Sequence, residues 1–181
     1  MINRAKSGTI DMEVDELTPC LKRLSTGAIV QTRVEQINPK KHDLDGFHFD
    51  WVKPLKDGHG IHALYAEGDA RIQGLLASAR PGTDGGVWIE LVESANFNSG
   101  FYNQAEREYS GVGGHLFAEA IRQARRSDAN GYVYFQAKSQ LISYYEKAFG
   151  AVLINGRRGI MGIFDDAATK LYDTYYGGGG F

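Results

Sequence analysis

The chain has 181 residues, a formal charge of −2 and a single cysteine, Cys20. That length supports one domain over residues 1–181 with a sizeable core. The charge excludes general nucleic-acid affinity, leaving only a local basic patch open, and one cysteine excludes an intrachain disulfide and fits a reducing compartment.

Residues Met1 to Glu16 are polar and read as a loose N-terminus. Ile10-Asp11-Met12-Glu13 is acidic where a signal peptide needs an apolar core. No apolar run approaches the roughly 20 residues that span a bilayer. A cytoplasmic protein with no membrane partner is expected. Leu17 to Leu24 and Ala28 to Ile37 are strand-like runs around Ser25-Thr26-Gly27, a predicted β-hairpin over 17–37. Asn38 to Asp50 reads as a loop, and Trp51 to Leu55 as a short helix or turn. His42, His48, His59 and His62 show no ligand pair at i,i+4 and no partner cysteine. They read as solvated loop histidines, with no metal expected.

Ile61 to Glu67, Ile72 to Ala79 and Val87 to Ala95 are three strands joined by short turns, an antiparallel meander. Asn96 to Ser110 is an extended loop holding Phe97, Phe101 and Tyr102. A substrate lid and a plain bulge fit it equally. The next stretch is Tyr109-Ser110-Gly111-Val112-Gly113-Gly114-His115-Leu116-Phe117. Its glycines lead into a helix over 113–127 with Leu116, Phe117, Ala120, Ile121 and Ala124 on one apolar stripe. Glu119, Arg122, Gln123, Arg125 and Arg126 fill the other face. Gly131 suits a C-terminal cap, and Tyr132 to Ala137 is a strand. A strand joined through a helix to an earlier strand runs parallel to it. Ser139 suits the cap of a helix buried through Leu141, Ile142, Tyr145, Ala148 and Phe149, closed by Gly150. Ala151 to Asn155 and Gly159 to Phe164 are the last strands, Asp166 to Tyr176 a short helix, and 177–181 a flexible tail. The order predicts an α/β (α+β) fold with a mixed, mostly antiparallel central sheet of about six to seven strands and helices on both faces.

The first N–H groups of a helix lack intrahelical partners and sit at the positive end of its dipole. Glycines let a phosphate approach them closely. A turn with no ligand fits the same residues. The P-loop spacing is absent, because no Lys-Ser or Lys-Thr follows. The dinucleotide fingerprint fails where its third glycine would be Leu116. Gly111-Val112-Gly113 leading into Leu116-Phe117 resembles the Q/R-x-x-G-x-G/A pyrophosphate loop of the GNAT superfamily of acyl-CoA N-acyltransferases. Gly131-Tyr132-Val133-Tyr134-Phe135 resembles that family's fifth strand, and Tyr145-Glu146-Lys147 a signature of its following helix. The likeness covers roughly residues 61 to 165.

That resemblance implies a GNAT-like sheet splayed between the family's fourth and fifth strands, with acetyl-CoA as co-substrate and an amine as acceptor. It implies that Tyr109, Ser110, Gly111, Val112, Gly113 and Gly114 hold the pyrophosphate, and that Ser94, Ala95 and Asn96 pair with the pantetheine arm. Glu90 falls where some members place a glutamate base, and Tyr145 where members place the tyrosine acid. Each has a plainer reading, Glu90 as an exposed strand glutamate and Tyr145 as packed core. Glu93 faces away from Glu90 by strand parity and is the weaker base. Several positions depart from the family pattern. Glu108 stands where Gln or Arg is usual, with Arg107 beside it as a compensating charge. Lys138 stands where Asn is common. The spacing from Tyr145 to Gly150 is one residue long, and the helices expected between Asn38 and Gly60 are poorly represented. Phe97, Phe101, Tyr102 and Trp51 are candidates for an apolar acceptor wall. A non-catalytic CoA-binding module and a cofactor-free binding protein are the other classes that fit.

Overall fold

The computed structural model describes residues 21–99, 107–128 and 130–177. Its strands and helices are β1 (Leu21–Arg23), β2 (Ile29–Val30), β3 (Thr32–Gln36), α1 (Val52–Lys56), β4 (Gly60–Ala66), β5 (Ile72–Ser78), β6 (Gly86–Ser94), β7 (Tyr109–Ser110), α2 (Val112–Arg125), β8 (Tyr132–Gln136), α3 (Ile142–Phe149), β9 (Val152–Asn155), β10 (Ile160–Ile163) and α4 (Asp165–Tyr172). A π-helical turn, Asp173–Gly177, follows α4. Seven strands form one mixed sheet in the order β3-β4-β5-β6-β8-β10-β9, and β2-β1-β7 form a small second sheet. All pairings in the large sheet are antiparallel except β6 with β8.

The expected hairpin over 17–37 divides at Gln31. β1 and β2 pair as a hairpin, with Leu21 opposite Val30, but β3 leaves it to become the edge of the large sheet against β4. Residues 17–20, including Cys20, and the tail 178–181 lie outside the described residues. Gly131 is no left-handed cap: a side chain there would strike the backbone of Ala124 and Arg125, so glycine is needed for close approach to the end of α2. Ser139 does not cap α3 either. A short 3₁₀ turn, Ser139–Leu141, precedes that helix and no side chain caps it.

Two cores flank the sheet. One joins α2 and α3 to the inner faces of β6, β8 and β10 through Leu116, Phe117, Ile121, Val133, Phe135 and Met161. The other packs Trp51 and Ile37 on Ile61, Ala63, Leu75 and Ala77. Covered on both faces, β5 is buried at every residue. Gly74 lies under the first turn of α2, where any side chain would collide with Val112 and Leu116. The glycine thus lets the start of α2 settle directly on the sheet.

The polar face of α2 is not solvated as its periodicity implies. α4 and the π turn pack against it and bury Glu119, while Gln123 is buried toward β5, where its Oε1 accepts from Ser78 Oγ (2.8 Å). Glu119 accepts hydrogen bonds from Arg122 Nε (2.7 Å), Tyr176 Oη (2.6 Å) and Gln123 Nε2 (3.1 Å). Burial opposes its charge, but the bonds from Arg122 and Tyr176 outweigh it and hold the carboxyl below its ordinary value. His115, one turn nearer the glycines, is also buried. Its Nε2 lies 2.6 Å from Thr32 Oγ1 and its ring packs between Tyr175 and Tyr176.

Burial depresses the His115 pKa from 6.5 to about 4. Below 6.5 an unfolded chain binds a proton that the folded chain refuses, so stability is lost as pH falls from 6.5 toward 4. The loss reaches about 3 kcal/mol at the lower limit. His62, lowered by its own burial, acts in the same direction. Urea unfolding between pH 7 and 4.5 should show this slope, and His115→Gln should flatten it. An unchanged slope in that variant would refute the assignment.

Candidate active site

The site begins where β6 and β8 part. They pair in parallel at Gly86–Tyr132, Val87–Val133, Trp88–Tyr134 and Ile89–Phe135, and no further. β6 runs on to Ser94, whereas β8 ends at Gln136 and turns into α3. On its other side β6 pairs with β5, where Ala77 faces Leu91 but Ser78 faces Ile89. Glu90 is therefore the extra residue of a β-bulge, and a bulge bends and twists its strand. The divergence opens a cleft of about 200 Å³, lined by Ile89, Glu90, Leu91 and Val92 of β6, Phe117 of α2, Phe135 and Gln136 of β8, and Phe49, Lys138, Leu141 and Tyr145.

The structure thus brings Glu90 and Tyr145 to one cleft. Glu90 is exposed rather than held in an apolar strand interior. Its Oε2 accepts from the Trp88 indole N–H (2.8 Å) and lies 3.9 Å from His59 Nε2. His59 Nδ1 is in turn 3.2 Å from the Pro54 carbonyl, so α1 steers the imidazole toward Glu90. Tyr145 is buried in an aromatic cluster, 4.8 Å from Phe135 and 5.8 Å from Phe117 by ring centroids. Burial pushes its phenol pKa upward, so the hydroxyl stays protonated. Tyr144 packs at the margin of that core and does not line the cleft.

The bulge also corrects the parity of Glu93. The extra residue turns Glu93 to the same side as Glu90, toward residues 47–59. Glu93 is buried and accepts from the backbone N–H of His48 (2.6 Å) and Phe49 (3.3 Å) and from Trp51 Nε1 (2.9 Å), with His48 Nδ1 at 3.2 Å. It anchors the segment that puts Phe49 into the cleft wall. Trp51 is buried in the second core, and Phe97 lies under the Arg71 guanidinium, 4.3 Å away. Neither reaches the cleft, and Phe101 and Tyr102 lie outside the described residues. His48 and His59 are thus engaged by glutamates rather than simply solvated.

On the open edge of β6 the backbone groups alternate. Ala95 N–H donates to Gln73 O (2.9 Å), within the sheet, so Ser94 and Val92 present theirs to the gap. Asn96 N–H is taken by Gly46 O at 3.0 Å. Of the three positions expected to pair with a pantetheine arm, only Ser94 faces the gap with its backbone.

The glycine turn lies beyond. Tyr109 and Ser110 are fixed by pairing with Arg23 and Lys22 of β1, and Tyr109 N–H donates to Asn98 Oδ1 (3.0 Å). Asn98 Nδ2 bonds Gln73 Oε1 (2.9 Å), which ties the turn to β5. Gly111 has φ +92°, a conformation L side chains rarely adopt, and α2 starts at Val112 with no side-chain cap. Gly114 packs on Tyr175. Residues 109–114 are buried, so a ligand reaching their amides must displace part of their cover. Glu108 pairs with Arg71: Nη1–Oε1 is 3.1 Å and Nη2–Oε2 2.5 Å, with Asp69 on the same guanidinium. The bulge at Glu90 and the Arg71 pair left no local mark in the sequence. Apart from the glutamates themselves, both depend on strand register.

No family model and no curated protein matches the sequence. Solved structures do match its shape. The AtaT toxin with a tyrosine-to-phenylalanine mutation, bound to the C-terminus of the antitoxin AtaR, superposes with a TM-score of 0.54 at 13% identity, over 78% of this chain and 98% of that one. AtaTR bound with AcCoA gives 0.52 at 9% identity, over 78% and 98%. The same mutant with AtaR and acetyl-CoA gives 0.50 at 13% identity, over 78% and 98%. The fold is the GNAT fold. Among the described residues no helix is long and apolar enough to cross a membrane.

Glu93→Ala would leave two backbone donors and an indole N–H without their acceptor. A loss of about 2–4 kcal/mol in urea unfolding is expected, with faster proteolysis near residues 47–51. Wild-type stability in this variant would contradict the anchoring role.

Proposed function

We propose that the chain is an N-acetyltransferase that moves an acetyl group from acetyl-CoA to a primary amine by direct attack in a ternary complex, in the cytoplasm. The observation that carries this reading is the cleft at the parting of β6 and β8, which gathers an exposed carboxylate and a buried, protonated phenol at the open edge of a strand. The GNAT fold, and the acetyl-CoA bound in two structures of that shape, support the choice of donor.

In this reading the amides of Val112, Gly113 and Gly114, after the turn at Tyr109, Ser110 and Gly111, hold the pyrophosphate at the positive end of α2. The free edge at Ser94 aligns the pantetheine arm as an added strand, with Ala95 and Asn96 at its margin. Glu90 takes the proton of the incoming ammonium, directly or through one water. The amine lone pair forms the C–N bond at the thioester carbonyl carbon. As the intermediate collapses the C–S bond breaks, the Tyr145 hydroxyl gives its proton to the departing thiolate, and the surplus proton on the new amide nitrogen returns through water to the Tyr145 phenolate. Amide and free thiol result. Trp88 and His59 orient the Glu90 carboxylate. The charge of Glu108 and the divergent region between Asn38 and Gly60 are the features that favour a non-catalytic CoA-binding module, and Arg71 offsets the first of them.

Acetyl-CoA at 100 times its dissociation constant should stabilise the fold by about 2.7 kcal/mol in thermal unfolding, with no effect of ATP or NAD. Against an amine panel, Glu90→Gln and Tyr145→Phe should each lower turnover by about 10²–10⁴-fold while leaving that stabilisation intact. Full activity in Glu90→Gln would remove it from the mechanism. Stabilisation without thioester consumption would favour the binding module.

A further inference from the structure

Glu90 and Gln136 each line the cleft, and two residues back along each strand stands an aromatic ring, Trp88 on β6 and Tyr134 on β8. Those rings begin a continuous shelf. Trp88 contacts Tyr134 with centroids 5.2 Å apart, Tyr134 contacts Tyr132 at 6.1 Å, and Tyr132 contacts Phe164 at 4.9 Å. All four side chains are part-exposed. They lie on the face opposite α2, beyond the half of that face where Trp51 and α1 pack on β4 and β5.

Glycines shape the shelf. A Cβ on Gly86 would stand 2.9–3.0 Å from the Tyr132 ring, and one on Gly162 would strike the Phe164 ring. With no side chain beneath them, both rings lie low across the sheet instead of standing out from it. The rings are not coplanar: Trp88 meets Tyr134 at 62°, and Tyr132 is tilted by 37° to both Tyr134 and Phe164. Such a stepped row of part-exposed rings offers faces and edges to a further ring or a cation. The Trp88 indole N–H donates to Glu90 Oε2 at 2.8 Å, so the first ring of the shelf adjoins the carboxylate.

We propose that this shelf is the acceptor subsite of the cleft, and that it takes a primary amine whose short carbon arm ends in an aromatic ring. The ammonium meets Glu90 and the ring packs in the angle between Trp88 and Tyr134, face-on to one and edge-on to the other. This rests on the acyltransferase reading for its chemistry, but not for its binding geometry. Continuity with the cleft and the charge of Glu90 favour a cationic small molecule over a second copy of the chain. The polar tips, the Trp88 N–H on Glu90 and the Tyr132 hydroxyl on Asp84 at 2.7 Å, suit a hydrated ligand surface better than a dry subunit contact.

The test compares 2-phenylethylamine with 2-cyclohexylethylamine, which is of similar size but lacks the π system. Binding to the full chain is measured by calorimetry without acetyl-CoA. The aromatic amine should bind about three- to tenfold more tightly, as expected for a ring and cation-π contact. Tyr134→Val should erase the difference and Tyr134→Phe should keep it. Equal affinities in the wild-type chain overturn the proposal whether or not either variant folds, and so does a preference that survives Tyr134→Val. Sedimentation as a dimer with no ring preference would assign the shelf to a subunit contact and overturn it too. Ring preference without acetyl transfer would sink the acyltransferase reading and leave the subsite standing. Transfer to both amines at equal KM would do the reverse.

Discussion

The parting of β6 from β8 is the constraint on which the rest of the molecule depends. Two parallel strands held by continuous pairing leave no room between them and no free backbone edge. Here pairing stops at Ile89 and Phe135, and the bulge at Glu90 bends β6 away. A cleft with a polar edge and apolar walls follows from that single extra residue. The aromatic packing of Phe117, Phe135, Tyr145 and Phe149 then supports the opening from below, since these rings interlock at centroid distances of 4.8–6.1 Å. An open cleft needs such backing, because unsupported apolar walls would close on each other to escape water.

Two buried carboxylates hold the elements that frame the cleft. Glu93 gathers the segment after Gly46, and Glu119 ties α2 to the π turn that follows α4. Each is costly to bury and each is surrounded by donors, so removing one partner exposes the full desolvation cost of the others. Glu90 has the opposite environment. It is exposed, with an indole N–H as its only close donor among the described residues, and it keeps the freedom to accept a proton from a ligand. Three glutamates, two on β6 and one on α2, therefore divide into two anchors and one reactive candidate, by burial and partner count.

Much of the fold was legible in the sequence. The meander, the glycine turn, the long helix, the parallel crossover and the closing strands follow from hydrophobic period and turn residues, and they lie where those signals put them. Glu90 and Tyr145 were legible as candidates because the order of elements resembles a known family. What the sequence hid depends on register and on distant packing. The bulge that reverses the facing of Glu93 is a one-residue slip between β5 and β6, invisible without the partner strand. The pairing of Glu108 with Arg71 spans the meander. The burial of the polar face of α2 depends on where α4 docks, which no local period encodes. The division of the hairpin at Gln31 is likewise a choice of partner, since both halves have strand character.

The electrostatics around the glycine turn follow from the same long-range pairing. A carboxylate at position 108, next to the glycine turn proposed to hold a pyrophosphate, would repel that anion. Arg71 meets that carboxylate with two hydrogen bonds while also holding Asp69, and its plane rests on Phe97. One cation thus serves two anions, and the cluster is held at the surface instead of aiming positive charge at the turn. In the proposed site, attraction for a phosphate would then come from the backbone of α2 itself, through amides with no side-chain cap at the N-terminus. A site of that kind selects by shape more than by charge. The close seat of α2 on Gly74 and of Gly114 on Tyr175 would set how near a phosphate can come.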